Sequence, residues 1–243
     1  MGETPLQRLD RLRKESPEFA EATLSYAGRL DPLAYGVMLV LVGDEANRDR
    51  DKYLGLDKEY EVEVLLGVST DTYDVLGLAT SEPRFYDIDV VEDEVKEAVK
   101  KLSDFSLMTY PPYSSKPVEG KSLFQWAREG KIGEIEIPKQ KGKVLSIDVI
   151  DSKRIPAIKL FERIVSAIDS VSGDFRQEEI FNEWKVFFDI AMTREFLVMK
   201  MKVVCESGTY MRSLANHIGE LIGLPALALS IHRTRVGDFT AQE

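Results

Sequence analysis

Tyr26-Ala-Gly-Arg-Leu-Asp-Pro-Leu-Ala-Tyr-Gly-Val37 is the stretch from which the rest of the sequence can be interpreted. It places the carboxylate of Asp31 between two glycines and leads into the most apolar run of the chain, residues 36–43, which predicts a buried strand. Asp followed by Pro is also typical of a helix start, with Asp as the cap and Pro at the first helical position. The stretch alone therefore favours a helix cap at Asp31, and a catalytic carboxylate there needs support from elsewhere in the chain.

Strands and helices follow one another without a regular period. Tyr60, Val62 and Val64 alternate with glutamates, which predicts a strand with these three side chains on one face. The other predicted strands are residues 144–150 and 199–205, and the predicted helices are residues 6–13, 90–102, 123–128, 155–171, 180–188 and 210–222. Because there is no repeating strand-helix-strand unit, we expect an α+β fold with a mixed sheet.

The composition narrows the classes of protein to consider. With 243 residues, of which 44% are hydrophobic, the chain is long enough for one large globular domain. One cysteine and two histidines argue against a thiolate cluster or a His-rich metal site, so we expect no metal. The sequence contains neither an apolar run of about 20 residues nor a signal-peptide pattern, so we expect a cytoplasmic protein without a membrane partner.

The net charge of −10 argues against a nucleic-acid partner when it is taken alone. The charge is unevenly distributed, however. Residues 110–145 carry seven Lys or Arg against four Glu, a net of +3, which leaves −13 for the rest of the chain. A basic stretch on an acidic body can bind RNA if its field is focused on one face. We therefore expect residues 110–145 to face the ligand and the acidic residues 87–97 to lie away from it.

Two further side chains are candidates for the same site as Asp31. Arg212 lies at the start of a predicted helix, where a cation opposes the helix dipole. It is either a solvated surface residue or the partner of an acid, for which Asp31 is the natural candidate. Tyr60 is either a core aromatic residue or a plane on which an extruded base stacks. A second carboxylate near Asp31, as a glycosidase needs, is not evident in the sequence.

Five segments, in the same order, resemble the motifs of the TruB family of tRNA pseudouridine synthases. They are Gly28-Arg-Leu-Asp-Pro-Leu-Ala-Tyr-Gly36, Lys58-Glu-Tyr-Glu-Val62 with Thr70-Asp-Thr-Tyr-Asp74, residues 112–130 beginning Pro-Tyr-Ser-Ser-Lys, Cys205-Glu-Ser-Gly-Thr-Tyr-Met-Arg-Ser213, and residues 226–235. Together these segments span nearly the whole chain. The resemblance therefore implies that residues 1–243 form a single catalytic domain. The implied fold is the pseudouridine synthase fold, a mixed, mostly antiparallel sheet flanked by helices, with a thumb-like RNA-gripping segment at residues 110–141.

The resemblance also implies a reaction and its partner. The family breaks the N1–C1′ bond of a uridine, turns the base and rejoins it through C5, without a cofactor or metal. The implied substrate is the T-loop of tRNA at position 55, and the implied partner is the tRNA T-arm, with no protein partner and a monomeric enzyme. Whether the aspartate attacks the sugar, attacks the base or removes a proton stays open.

Residue roles follow from the matching positions. The resemblance implies that Asp31 is the essential aspartate, that Arg212 pairs with it, and that Tyr60 stacks on the target base and assists proton removal at its C5. Ile231 stands where the family usually has leucine and is expected to line the base pocket. The remaining residues expected to contact substrate are Tyr26, Arg29, Tyr113, Lys116, Lys121 and Arg233.

The sequence departs from the family at several places. Tyr26 stands where the family often has histidine, and Arg29 stands where it commonly has threonine. Gly-Arg-Leu-Asp is also typical of the RluA and RsuA families, which modify mainly ribosomal RNA, so a ribosomal RNA synthase remains an alternative. Two further alternatives are a non-catalytic RNA-binding or RNA-folding protein and an α+β domain in which Asp31 is only a helix cap. Residues 155–188 are predicted to be a helical insertion of unknown role, and the C-terminal RNA-binding domain of bacterial members is not matched.

Overall fold

The computed structural model describes residues 2–84, 86–102 and 107–241. The helices are α1 (Pro5–Glu15), α2 (Gly43–Arg48), α3 (Arg50–Leu54), α4 (Ile88–Lys100), α5 (Leu123–Arg128), α6 (Ala157–Asp169), α7 (Gln177–Ala191) and α8 (Met211–Ile222). The strands are β1 (Leu24–Ala27), β2 (Ala34–Gly36), β3 (Leu39–Val42), β4 (Lys58–Leu66), β5 (Leu107–Thr109), β6 (Pro117–Val118), β7 (Lys121–Ser122), β8 (Lys139–Lys141), β9 (Val144–Pro156), β10 (Glu195–Cys205), β11 (Ala226–Val236) and β12 (Phe239–Thr240). Short 3-10 turns occur at Pro17–Phe19 and Ile132–Glu134.

A six-stranded sheet forms the centre of the molecule. Its order is β12-β11-β4-β10-β9, and β2 pairs with β11 outside this path. The β2–β11 pair is parallel and the other pairs are antiparallel. The expectation of an α+β fold with a mixed, mostly antiparallel sheet is therefore confirmed.

The two faces of this sheet carry two separate cores. Tyr60, Val62 and Val64 point to what we call the front face, where α4 and α8 pack on the sheet. Leu65 points to the back face, which α6 and α7 cover. This is the alternation that the sequence predicted for β4, and it requires helices on both sides because both faces present apolar side chains.

Residues 155–188, which the sequence predicts to be a helical insertion, form α6 and α7 with shifted bounds, and their being an insertion stays a prediction. β9 extends to Pro156 before α6 begins, and α7 continues to Ala191. Trp184 at the centre of α7 is completely buried, and its Nε1 donates a hydrogen bond to the carbonyl oxygen of Val75 at 3.1 Å. Its ring packs against Phe187 and Phe188. The insertion is therefore part of the core and not an appendage.

We expect Trp184→Ala to lower the free energy of unfolding of the whole protein by about 3–5 kcal/mol, because it opens a large cavity and leaves the carbonyl of Val75 unpaired. Urea denaturation followed by circular dichroism measures this. Phe239→Ala is the control, because that aromatic side chain is about half exposed on the short terminal strand. Independent melting of the insertion, with the rest of the transition unchanged, would contradict an integrated core.

Two predictions around Asp31 are wrong. Residues 32–36, all described, form a turn and strand β2 instead of a helix, and the N–H of Ala34 donates to the carbonyl oxygen of Asp31 at 2.9 Å. Asp31 is therefore not a helix cap. The apolar run also gives no deeply buried strand: of the four residues of β3, all described, Leu41 is buried, and β3 pairs only with β1.

Gly36 explains why the run is broken. Its φ is +107°, and a Cβ on it would lie 2.1 Å from the carbonyl oxygen of Arg233 on the neighbouring strand β11. Only glycine allows this close approach at this φ. The chain is thereby pinned to β11 directly after Asp31 and then turns away toward β3, which fixes Asp31 at the edge of the front face.

Candidate active site

A cavity of about 560 Å³ opens on the front face of the sheet. Its walls come from the Asp31 turn, from β4 and β11, from the start of α8 and from the segment after β5. Asp31, Tyr60, Arg212 and Ile231 all line it. These side chains come from four separate parts of the sequence, and the fold brings them together at one place as the sequence analysis expected.

Asp31 and Arg212 form a two-point ion pair in this cavity. Arg212 Nε donates to Asp31 Oδ2 at 2.8 Å, and one terminal nitrogen donates to Asp31 Oδ1 at 2.9 Å. The other terminal nitrogen donates to the carbonyl oxygen of Thr72 at 2.9 Å. The nitrogen that bonds Asp31 Oδ1 also donates to the carbonyl oxygen of Tyr113, at 3.3 Å. The Arg212 side chain is 4% exposed and that of Asp31 is 29% exposed. The guanidinium thus stabilises the carboxylate from behind, and the carboxylate faces the cavity.

A second carboxylate lies next to the pair, contrary to the expectation that none is nearby. Asp74 Oδ2 is 3.7 Å from Arg212 Nε, and Asp74 Oδ1 accepts hydrogen bonds from the Thr72 hydroxyl at 2.7 Å and the Leu76 N–H at 2.9 Å. Burial raises the pKa of Asp74 above its ordinary value, although Arg212 acts in the opposite direction. Burial would lower the pKa of Arg212, but Asp31 and Asp74 raise it overall, so the guanidinium stays charged.

Tyr60 forms an apolar wall of the cavity and is only 8% exposed. Burial raises the pKa of its hydroxyl to about 12, even though Arg233 next to it lowers the pKa. At neutral pH only about one molecule in 10⁵ carries a phenolate. Tyr60 can therefore offer a flat ring and a neutral hydroxyl, but it does not offer a standing negative charge.

Arg233 is 1% exposed and also lines the cavity, and two of its N–H donors are bonded to backbone carbonyls. Its Nε donates to the carbonyl oxygen of Val37 at 2.6 Å, and a terminal nitrogen donates to the carbonyl oxygen of Gly28 at 2.8 Å. These two carbonyls lie at the two ends of the Asp31 turn. The geometry therefore indicates that Arg233 fixes this turn, and the expectation that it also contacts substrate stays a prediction.

Of the other residues expected to contact substrate, some line the cavity and others do not. Arg29 and Tyr113 line the cavity, and Arg29 donates a hydrogen bond to the Ser115 hydroxyl. Among the described residues that line the cavity, Tyr26, Lys116 and Lys121 do not occur. Lys116 lies over the ring of Tyr110, and Lys121 pairs with Glu129, so both ammonium groups have partners within residues 110–141.

Lys58 and Arg176 are among the cavity residues that the sequence analysis missed. Lys58 is buried, and its Nζ donates to the carbonyl oxygens of Leu54 and Leu56. The sequence contained a signal for this residue, because Lys58 is the first residue of β4, a strand in which apolar side chains alternate with glutamates. Arg176 lies between α6 and α7, and its guanidinium reaches the cavity from the insertion. Its sequence neighbourhood offers no signal for this, because the contact joins segments about 100 residues apart.

In residues 2–84, 86–102 and 107–241, no group of three or more His, Cys, Asp or Glu side chains could hold a metal ion. None of the helices in this part of the chain is long and apolar enough to cross a membrane. The expectation of a reaction without metal or cofactor stays a prediction.

Comparison with known proteins identifies the family. The sequence profile of "TruB family pseudouridylate synthase (N terminal domain)" matches residues 18–166, more than half of the chain. The chain belongs to the TruB family of pseudouridylate synthases. The match contains the Asp31 turn, Tyr60 and Asp74, and Arg212 follows beyond its end on α8.

Three relatives cover most of this chain. A protein of Blochmanniella floridana is 27% identical over 95% of this chain and 71% of its own length. One of Protochlamydia amoebophila is 28% identical over 98% of this chain and 71% of its own length, and one of Parabacteroides distasonis is 29% identical over 89% and 72%. All three are named tRNA pseudouridine synthase B.

Solved structures of the same fold are more distant in sequence. A chain in the crystal structure of a Cbf5–Nop10–Gar1 complex superposes on 99% of this chain with a TM-score of 0.56 at 19% identity. A chain in an H/ACA RNP bound to a substrate RNA containing 2′-deoxyuridine superposes on 99% with a TM-score of 0.52 at 18% identity. This chain spans less than half the length of either one, and the likeness confirms the pseudouridine synthase fold.

Proposed function

We propose that this TruB-family chain is a tRNA pseudouridine synthase that isomerises a uridine in the T-loop, at position 55. The observation that carries the proposal is the Asp31–Arg212 pair, with its carboxylate turned toward a cavity of about 560 Å³ that Tyr60 and Ile231 line. A cavity of this size is typical of sites that enclose a small ligand such as a nucleoside. The names of the three relatives support tRNA as the substrate.

Each of these side chains has a separate role in the proposed reaction. A target uridine must leave its stack to reach Asp31, at a cost of roughly a few kcal/mol. Stacking on the ring of Tyr60 offsets about 1–3 kcal/mol of this, and Ile231 closes the apolar side of the pocket. Arg212 donates hydrogen bonds to both oxygens of Asp31. These bonds orient the carboxylate toward the substrate and stabilise its negative charge. This geometry is compatible with attack on the sugar, attack on the base or removal of a proton.

The proposed RNA-gripping surface is the thumb, which we define as residues 110–141. It contains the β6–β7 hairpin and α5, and α5 has the bounds that the sequence predicted. Lys116 and Lys121 are partly exposed and lie over the rings of Tyr110 and Trp126, and they are the candidates for phosphate contacts. Arg29 and Tyr113 lie beside the cavity. The acidic helix α4 contributes no residue to the described cavity lining, which supports the expectation that the RNA approaches from another side.

Mapping of pseudouridine on RNA treated with the purified protein tests the proposal. We expect one new pseudouridine at position 55 of an unmodified tRNA transcript, and none in a transcript with cytidine at that position. Fragments of ribosomal RNA are assayed side by side because Arg29 favours the alternative. Conversion of ribosomal fragments alone would replace the proposed substrate, and no conversion of any RNA would favour a non-catalytic RNA-binding protein. The expectations of a monomer and of a cytoplasmic location stay predictions.

We expect Tyr60→Phe to lower kcat about 100-fold while KM on a T-arm stem-loop changes less than about threefold. The ring remains available for stacking, but the hydroxyl next to Arg233 is lost, and with it a group that can relay a proton. Tyr60→Leu should raise KM as well, since stacking is also lost. Steady-state kinetics by tritium release from C5-labelled RNA separate the two effects. Equal kinetics of Tyr60→Phe and wild type would limit Tyr60 to stacking.

A further inference from the structure

We propose that the loop between α6 and α7, residues 170–176, is a positioning element of the active site, and that Arg176 is its positioning residue. The inference rests on the proposed function, because it concerns the same RNA site. It gives the insertion, whose role the sequence left open, a task in the reaction. Arg176 holds two segments whose carbonyl oxygens in turn hold Arg212.

The contacts of Arg176 are specific. Its terminal nitrogens donate to both oxygens of Asp71, at 2.9 and 3.3 Å, and its guanidinium lies 4.4 Å from the ring centre of Tyr113. The side chains of Arg176 and Asp71 are only 21% and 24% exposed. A planar guanidinium can pair with a carboxylate at its edge and stack on an aromatic ring with its face at the same time. One side chain thus joins the insertion, the loop after β4 and the base of the thumb.

These two partners lead directly to the catalytic pair. Tyr113 supplies the carbonyl oxygen that Arg212 bonds at 3.3 Å, and Asp71 immediately precedes Thr72, whose carbonyl oxygen Arg212 bonds at 2.9 Å. Arg176 therefore fixes both backbone segments that orient the Arg212 guanidinium. Because Arg212 orients Asp31, a shift of these segments changes the angle at which the carboxylate meets the substrate.

The loop also holds the far end of the thumb helix. A terminal nitrogen of Arg128, in the last turn of α5, donates to the carbonyl oxygen of Asp174 at 2.7 Å. Arg128, Phe175 and Arg176 all line the cavity. The thumb is therefore attached to the insertion at two places, near Tyr113 where it leaves the core and at the end of α5.

The conformation of the loop fits a part that is held in place. Arg176 has a φ of +64°, in the left-handed region that residues other than glycine seldom adopt. The side chain of Gln177 fixes this turn: its amide nitrogen donates to the carbonyl oxygens of Val171 and Gly173, and its oxygen accepts from the N–H of Phe175. An uncommon backbone conformation fixed in this way, beside a cavity, is the kind that functional sites retain.

Kinetics of Arg176→Ala test the proposal. We expect kcat on the T-arm stem-loop to fall about 10–100-fold, while KM and the directly measured Kd for RNA change less than about threefold. Arg176→Lys should recover only part of kcat, since an ammonium cannot pair at two points and stack together. The control is Lys185→Ala, which removes one positive charge from the exposed side of α7 and should leave both constants unchanged.

Hydrogen exchange on the RNA-free protein supplies a readout that does not depend on activity. In Arg176→Ala we expect at least tenfold faster exchange in residues 71–78 and in residues 123–124, whose N–H groups bond the carbonyls of Lys116 and Ser114. Exchange within α7 should remain as in wild type. A wild type that modifies no RNA would end the proposed function, yet this local exchange effect would still support the positioning role.

Other results would overturn the inference. A KM or Kd that rises tenfold with kcat unchanged would make Arg176 a direct RNA contact. A lower melting temperature with wild-type kcat at 25 °C would make it a stabilising residue only. Unchanged kinetics together with unchanged exchange would show that the loop takes no part in the site.

Discussion

Replacing Asp31 with Asn should reduce pseudouridine formation on a T-arm stem-loop by at least about 1,000-fold, as expected for loss of a group that acts on the reacting atoms. Asn is nearly the same size, and its oxygen can still accept a hydrogen bond from Arg212. The amide lacks the negative charge and the nucleophilic or basic oxygen that any of the three routes requires. RNA affinity should stay within about threefold of wild type, because the cavity keeps its shape and Tyr60 and Ile231 keep their positions.

Single-turnover assays with excess enzyme measure the chemical step, and filter binding measures affinity. Asp10→Asn is the matched control, because Asp10 lies on α1 with a side chain that is 69% exposed. Full conversion by Asp31→Asn would remove the carboxylate from the mechanism and, with it, the main support for the proposed reaction. Loss of both conversion and binding would assign Asp31 to holding RNA.

The sequence predicted the elements that depend on local pattern. The alternation in β4, the helix before Gly130 and the helix that starts at Met211 depend on neighbours a few residues away, and each is found. The Asp31–Arg212 pair, 181 positions apart, was also predictable. A cation at the start of a helix is unfavourable and needs an acid, and the order of the motifs supplied the candidate.

The errors share a physical cause, which is that distant contacts decide them. Residues 36–43 are apolar enough for a core strand, but Gly36 is locked against β11, and that constraint is invisible in the run itself. Asp-Pro is compatible with both a helix cap and a turn, and pairing of β2 with β11 selects the turn. The burial of Arg233 also depends on distant contacts, because two carbonyl oxygens brought to it by the Asp31 turn accept its hydrogen bonds.

Asp74 is a site residue whose position, but not whose environment, could be predicted from a motif. It was part of a matching motif, but its burial beside Arg212 depends on the loop after β4, which Arg176 of the insertion also contacts. The family profile ends at residue 166, before Arg176 and α7, so the contacts of Arg176 could not be inferred from that pattern. The residues that could not be predicted are therefore those that surround the Asp31–Arg212 pair and hold it in place.

Replacing Arg212 with Met should abolish activity and lower the free energy of unfolding at pH 7 by about 3–5 kcal/mol. The apolar side chain fills much of the space but leaves Asp31 and the buried Asp74 without their shared cation. Urea denaturation measures the loss. Arg212→Lys should lose less stability, because one ammonium can still face a carboxylate, but it cannot hold both oxygens of Asp31 and the Thr72 carbonyl together.

The stability loss should depend on pH with a defined sign. Burial already raises the pKa of Asp74 above its ordinary 3.8, and removal of Arg212, which lowers it, raises it further. A carboxyl group with a raised pKa in the folded state favours folding below the unfolded pKa and loses this contribution as the pH rises through the folded pKa. The difference in unfolding free energy between wild type and Arg212→Met should therefore shrink as the pH falls from 7 toward 4.

A second substitution separates the electrostatic cause from the loss of packing. Asp74→Asn in the Arg212→Met background removes the buried charge and keeps the oxygen that accepts from Thr72 and Leu76. This double variant should regain much of the lost stability at pH 7, with little remaining pH dependence, and should still make no pseudouridine. If it regains none, packing and not charge explains the role of Arg212 in the fold. A double variant that regains activity would show that Asp31 works without its guanidinium, which would contradict the mechanism proposed for the pair.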